Sequence, residues 1–479
     1  MKFRWDQRVP PEWQHPKPPP VWVYLVLFLV IEGVCLAYTV TTWPAGKPVD
    51  SPEFMRSALA VPVAFWLTIC AALYSTLYDG LAFEAAVRNA ARWHLLARWQ
   101  RLSRAGVAVL DSVILTPEPD LAERMLKLEG SPPENPGKVM LLGSVDATDT
   151  TSRIGSLLET LLTPLAARLA QAARGNSFEI VMQCDREEWS TDVKAVWERL
   201  KLPGRPHIRW IDNDRSVNFA ENWFTDKSDS RFAYSHYAVD RTPKYRLVVA
   251  WHLNDDYPDI PPTTSEAAVA LLLGSSALVQ EKPALKRQAW LLRQVVGEAD
   301  QVDKSLAWLL NAAQVPRERI RHFWHSRLKG LAQHATLGAV RDADLKIEEH
   351  ALDPAIGPQA PVARWVLQAL AGKMALYGQG AQLVALPHEE GVALNLVVKE
   401  LPSVAAPWKT DYEYTLFPAV ELVACVAMWV FGMLLSPAKA WGTFETVFTS
   451  VMVVALVLCS GWRIFAQRLY ADDVWRQYG

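Results

Sequence analysis

Two pairs of long apolar runs, one pair toward each end of the sequence, constrain this chain more than any other feature. Residues 21–43 (VWVYLVLFLVIEGVCLAYTVTTW) and 57–78 (SALAVPVAFWLTICAALYSTLY) form the first pair. Residues 416–435 (LFPAVELVACVAMWVFGMLL) and 446–465 (TVFTSVMVVALVLCSGWRIF) form the second. Each run has the roughly 20 residues that a helix needs to cross a bilayer. Four spans in two hairpins (21–79 and 416–466) are therefore expected. Of the 479 residues 51% are apolar and 21 are tryptophan, yet charged residues still make up 21%. That mixture points to a water-facing domain carried between membrane segments. The first run is not expected to be a secretory signal, because its polar leader is long and no small-residue cleavage site follows.

Positive charge near the runs predicts orientation. Lys2, Arg4, Arg8 and Lys17 precede the first run, and Arg88, Arg92, Arg98, Arg101 and Arg104 follow the second. Arg468 and Arg476 follow the last, whereas the hairpin loops hold chiefly Lys47, Arg56 and Lys439. The tails 1–20 and 467–479 and the long central segment are thus expected on the cytoplasmic face of a bacterial inner membrane. Glu32 and Glu421 lie inside apolar runs, where a carboxylate seeks an interface or a partner helix. The net charge of −2 provides no field for nucleic acid. Of five cysteines (Cys35, Cys70, Cys184, Cys425 and Cys459), only Cys184 lies outside the apolar runs. This argues against a disulfide framework and fits a reducing compartment.

Between the runs the pattern changes. Residues 80–127 read as a helical extension rich in Arg, Trp and Leu, and "EGSPPENPG" (129–137) as a linker whose prolines forbid a continuing helix. Strand and helix signals then alternate. The first half, 138–275, has strands at 139–145, 178–184, 207–212, 245–253 and 266–274, with helices near 152–174, 190–200 and 216–224. The second half, 276–400, has strands near 288–295, 319–325 and 345–351, helices near 301–313, 327–340 and 362–375, and a closing hairpin (381–387 and 391–400). A linker at 401–415 follows. Both halves read β-α-β-α-β-α-β-β, and their continuous apolar strands predict a sheet buried on both faces.

Two copies of that order resemble the thiolase-like fold shared by thiolases and ketoacyl synthases. "PTTSEAAVALLLGSSAL" (262–278) resembles the segment closing the first half of such enzymes, and "DPAIGPQAPVARWVLQAL" (353–370) the junction before the third helix of the second half. The fold class expected is therefore α/β: a duplicated thiolase-like domain flanked by two transmembrane helical hairpins.

The resemblance implies a cysteine at the start of the third helix of the first half, and a histidine after the third strand of the second. Acyl transfer needs the thiolate, and the histidine moves protons. The corresponding stretch "IDNDRSVNFAENW" (211–223) has no cysteine, and Ser216 is its only hydroxyl. Cys184 falls one element too early and reads as a buried structural thiol. The position resembling the family's histidine holds Gln359, and glutamine cannot relay a proton at neutral pH; Gln359 and Gly357 are expected to bind as part of the degenerate junction. His350 sits on the alternating pattern KIEEHAL and is expected along a strand, leaving Ser216, Cys184 and His350 as weak catalytic candidates. His322 and His325, three apart on one strand, point to opposite faces and do not suggest a shared metal. Asp255, Asp256 and Asp259 near His252 lack the spacing and glycine of a calcium loop. "GQG" (378–380) only punctuates a turn, so neither metal nor cofactor is expected.

A membrane-held thiolase-like domain without its catalytic pair is similar to the accessory adaptors that recruit lipase effectors in bacterial type VI secretion. That similarity implies a non-catalytic binding protein, of adaptor or immunity type, whose partners are the lipid bilayer and a secreted effector. Thiolase-like folds commonly dimerise, which makes a homodimer a further expectation. The alternative is a membrane-bound acyltransferase acting on acyl thioesters through another nucleophile.

Overall fold

The computed structural model describes residues 3–143, 152–174, 177–215, 223–224, 242–254, 261–401, 407–436 and 441–478. The chain divides into two compact units, one of residues 1–7 and 99–404, the other of residues 8–98 and 405–479.

The first unit is built on one mixed sheet. Its strands are β1 (Gly106–Leu115), β2 (Phe178–Gln183), β3 (His207–Ile211), β4 (Tyr245–His252), β5 (Ala267–Gly274), β6 (Ala289–Leu292), β7 (Val295–Gly297), β8 (Ile320–His325), β9 (Glu348–Ala351), β10 (Ala381–His388) and β11 (Gly391–Val398). They lie in the order β3-β2-β4-β5-β1-β6-β11-β10-β8-β9, with β7 added to β11. The order is symmetric about the β1–β6 seam, where Ala108 faces Trp290 in an antiparallel pair. Directions repeat as well. β2 is parallel to β3 and β4, as β8 is to β9 and β10. β5 is antiparallel to β4 and β1, as β11 is to β10 and β6. The unit therefore has the duplicated thiolase-like α/β architecture that the resemblance implies.

The strand β1 corrects the sequence reading. Residues 80–127 were expected as one helical extension, and the first half was expected to begin at 138. The helix ends at Ser103 instead, and Gly106–Leu115 enters the sheet between β5 and β6. Val107, Val109, Val113 and Ile114 favour the pleated surface, and Gly106 fits where a Cβ would press on Leu291 and Leu292. The segment expected as the opening strand, 139–145, is not one within its described residues. Met140 and Leu142 bond instead to the Ser265 and Glu266 side chains, which lead into β5.

The sheet is covered on both faces, and β5 is buried throughout. One layer includes the helices Arg153–Leu162, Ser190–Arg199 and Val302–Asn311; the other is dominated by the helix Ala363–Leu376. Nearly every residue of that helix is buried, so its inward-facing amide, Gln368, needs a partner. Asn395 on β11 supplies it through reciprocal amide bonds of 2.7 and 3.0 Å.

In the second unit, three helices are long and apolar enough to cross a membrane: Val21–Thr42, a rod over Pro52–Ser103, and Thr443–Tyr478. Leu25, Leu29, Val453 and Leu458 are among the large apolar side chains these helices leave exposed. The fourth expected span is a shorter apolar helix of 17 residues, Ala419–Leu435. Pro418 stands at its start, leaving Leu416 and Phe417 outside the helix. Glu421 on this helix pairs with Arg463, which also reaches Asp79. Glu32 Oε2 has no hydrogen-bond partner among the described residues.

Candidate functional site

The junction marked by the sequence is where β9 ends. The short helix Leu352–Ile356 follows, and then Gly357 turns the chain toward Ala363–Leu376. Gly357 has φ +76°, and a Cβ there would collide with the carbonyl of Lys138 and lie 2.8 Å from Ser265 Oγ. Only glycine fits both the backbone conformation and the space. The turn is stitched to the segment preceding β5: Ser265 N donates to Pro358 O at 2.7 Å, and Ser265 pairs with Gln359 in an isolated parallel bridge.

Gln359 is 4% exposed. Its amide nitrogen donates to Ile356 O (3.2 Å) and Gly357 O (2.8 Å), so it closes its own turn. Oε1 has no hydrogen-bond partner among the described residues. At the position resembling the family's histidine there is thus a turn-closing amide, which neither takes up nor releases a proton at neutral pH.

The neighbouring motif residue, Glu266, is fully buried and equally committed. Its carboxylate accepts from Leu142 N (2.8 Å) and Asn254 N (2.9 Å) and pairs with Arg153 Nη2 at 2.7 Å. Charge-assisted bonds on both oxygens offset the cost of burying it. This acidic side chain clasps three segments together.

Cys184 lies just beyond β2, with its Sγ 3.2 Å from Arg186 O. Burial pushes the thiol up to about 12, so at neutral pH it is protonated and a poor nucleophile. Ser216 lies outside the described residues, as do Asp255, Asp256, Asp259 and most of the helix expected near 216–224. His252 is placed by Thr264 Oγ1 (2.8 Å) and lies 3.7 Å from Asp185 Oδ2; its contact is the main cause holding the Asp185 carboxyl below its usual range.

Several residues around the junction went unnoticed in the sequence. Gln183, at the end of β2, donates to Asp212 O, Asn213 O and Arg215 O at 3.0–3.2 Å and accepts from Trp365 Nε1 at 2.6 Å. Asp353 accepts from Ser326 Oγ and Arg327 N, both at 2.9 Å. Arg364 donates to Pro361 O and Arg215 O, and burial, with Arg327 nearby, brings its guanidinium down to about 10. These are isolated polar side chains without motif spacing, and only the fold brings them together.

His350 is on a strand, as its pattern implied, and is 4% exposed. Its Nε2 lies 3.0 Å from Nδ1 of His322 on β8, and its ring lies 4.6 Å from that of Trp324. Burial first, then the neighbouring His322, lowers His350 to about 4; burial lowers His322 too. His325 turns elsewhere and meets Glu349 at 2.9 Å. The histidine pair thus forms across two strands, β8 and β9, and not between His322 and His325 on one.

Comparison with solved structures finds condensing enzymes. A ketosynthase from module 6 of the bacillaene synthase of Bacillus subtilis 168 is 9% identical, with 62% of this chain and 71% of that one covered and a TM-score of 0.46. The oxazolomycin ketosynthase domain of Streptomyces albus JA3453 is 14% identical over 64% of this chain and all of its own, at 0.41. The dimeric peroxisomal thiolase of Saccharomyces cerevisiae is 10% identical over 62% and 98%, at 0.35. No protein-family model matches the sequence, and none of the curated proteins does.

Proposed function

We propose that this protein is a non-catalytic, thiolase-like binding protein anchored in the bacterial inner membrane, an adaptor or immunity-type partner of type VI secretion effectors. Four spans place its termini and its α/β domain on the cytoplasmic side in this reading, as the Lys/Arg bias implies. The observation that carries it is the state of the junction. Gln359 and Glu266 are spent on holding the backbone, and the one thiol outside the apolar runs is buried and protonated. Acyl transfer needs a nucleophile with a base in reach; the pairs of that kind near the junction, Thr264 with His252 (2.8 Å) and Ser326 with Asp353 (2.9 Å), stand outside the stretch 211–223 where the resemblance implies the nucleophile. A junction held by the backbone contacts of Gln359 and Glu266 is suited to presenting a rigid surface to a protein partner.

The test is incubation of the purified full chain with radiolabelled acyl-CoA, followed by intact-mass analysis. No covalent adduct is expected, and a secreted effector should co-purify from membranes. A stable acyl adduct that disappears in Ser216→Ala or Cys184→Ala would instead establish a membrane-bound acyltransferase.

A further inference from the structure

The parallel pair β8–β9 brings together three side chains that the proposed function does not use. In its register His322 faces Glu348 and Trp324 faces His350. A ring nitrogen of His322, a ring nitrogen of His350 and a carboxylate oxygen of Glu348 all lie within 4.8 Å of one another. From this geometry we infer that His322, His350 and Glu348 form a binding site for a late first-row divalent metal ion, zinc foremost.

The spacing fits the ion. Two imidazole nitrogens each about 2.0–2.1 Å from a tetrahedral zinc stand roughly 3.3–3.4 Å apart. The Nδ1–Nε2 separation is 3.0 Å, so the rings need to part by a few tenths of an ångström and turn their lone pairs toward a common point for the ion to enter. The donor set selects the metal: two imidazoles and one carboxylate suit zinc and its neighbours, whereas magnesium and calcium prefer oxygen alone. Both rings are kept neutral by burial, which is the form that ligates.

The surroundings supply rigidity on one side and access on the other. His350 is buried against the Trp324 ring, while Glu348 is exposed and makes a solvent-facing contact with Lys127 Nζ at 3.5 Å. Such an exposed pair is worth little and yields readily to a dication. Three protein ligands leave a fourth position to water or to an incoming group. Among the described strands β9 ends the sheet with β8 as its neighbour, so an ion here ties it to β8. The alternative use of the same atoms is a simple N–H···N bond between the rings, with no affinity for metal beyond that of the surface.

The experiment uses the full chain, tag-free and in detergent, stripped with a chelator and then titrated with zinc against a chromophoric competitor. Tight binding of one equivalent is expected, together with a rise in thermal midpoint and, with cobalt, tetrahedral d–d absorption. His322→Ala and His350→Ala should abolish all three, and His325→Ala should change none. Loss of even a supporting contact to a ligand costs about 10–100-fold in affinity, so Glu348→Gln should weaken zinc by at least that much. Glu348 is exposed, and circular dichroism of its Gln variant separates lost binding from lost folding. Absence of tight binding by the native chain, or tight binding that survives in both histidine variants, would overturn the assignment.

Discussion

Gln183 Oε1 accepts a 2.6 Å hydrogen bond from the indole of Trp365, and the same amide donates to three carbonyls of the segment after β3. One side chain thereby joins the first half of the duplicated domain to the principal helix of the second. Replacing it strands a buried indole N–H and several carbonyls, each of which costs about 1–3 kcal/mol if left unpaired. Gln183→Ala is expected to lower the thermal midpoint of the α/β unit, whereas Gln183→Glu keeps the acceptor and loses the donors. Calorimetry of both variants checks the sign and the order.

Gly357 gives a sharper expectation. Gly357→Ala meets both a positive φ and the Lys138 carbonyl, and neither can shift without opening the bridge between Ser265 and Gln359. Destabilisation of about 3 kcal/mol or more is expected, the magnitude typical of a blocked backbone conformation combined with a buried clash. Denaturant unfolding measures it, with Gly338→Ala as the comparison: that glycine lies in a helix, and a Cβ on it meets nothing within 4 Å.

The Gln368–Asn395 pair is suited to a double-mutant cycle. Each single change to leucine leaves a buried amide unpartnered and should cost about 1–3 kcal/mol, while the double change removes both polar groups together. A coupling of about 1 kcal/mol or more, read from the four stabilities, is expected for groups in direct contact.

Cys184 carries a pH signature. Its folded-state pKa is raised from 9.0 to about 12, so the fold favours the protonated thiol. Its contribution to stability is complete below pH 9 and is lost as pH rises toward 12, at a slope of up to about 1.4 kcal/mol per pH unit. Cys184→Ala should flatten this alkaline decline. A disulfide reagent at pH 8 should modify Cys184 only on unfolding.

Arg463 holds two carboxylates, Asp79 and Glu421, within the apolar helical unit. Arg463→Leu leaves both without this cation; the three groups are half-buried, so the cost is at most that of a broken buried pair, about 3–5 kcal/mol. A fall in detergent-extracted yield and thermal midpoint is expected, with partial recovery when Glu421→Gln is added.

The second half of the α/β domain was largely legible in the sequence because its strands are short apolar runs set between amphipathic helices. β8, β9, β10 and β11 fall where 319–325, 345–351, 381–387 and 391–400 pointed. The first half was misread at its start. Gly106–Leu115 follows a helix rich in Arg and Trp, and local periodicity cannot say that its ten residues leave that helix for a distant sheet. "VMLLGSV" is as apolar as a strand, but its described part is held by Ser265 and Glu266 side chains and not by a ladder. Gln359 and Gly357 were expected to bind as part of the junction; the contacts by which they close and hold the turn come from the structure. The contacts of Gln183, Arg364 and the His322–His350 pair were not legible in the sequence, because their partners lie far away in sequence and only the sheet order joins them.

The position of β1 has a consequence for biosynthesis. Ala108 pairs with Gly274 on one side and with Trp290 on the other, so the strand leaves the ribosome long before either neighbour exists. Until β5 and β6 are made, an apolar ribbon waits with both edges open, a state prone to mispairing. The seam cannot form until β6, far later in the chain, has been made, and such non-local closure is slow. Production of this chain should therefore depend on holdase chaperones and on translation speed across residues 106–292, and early truncation should yield aggregates in place of a folded half.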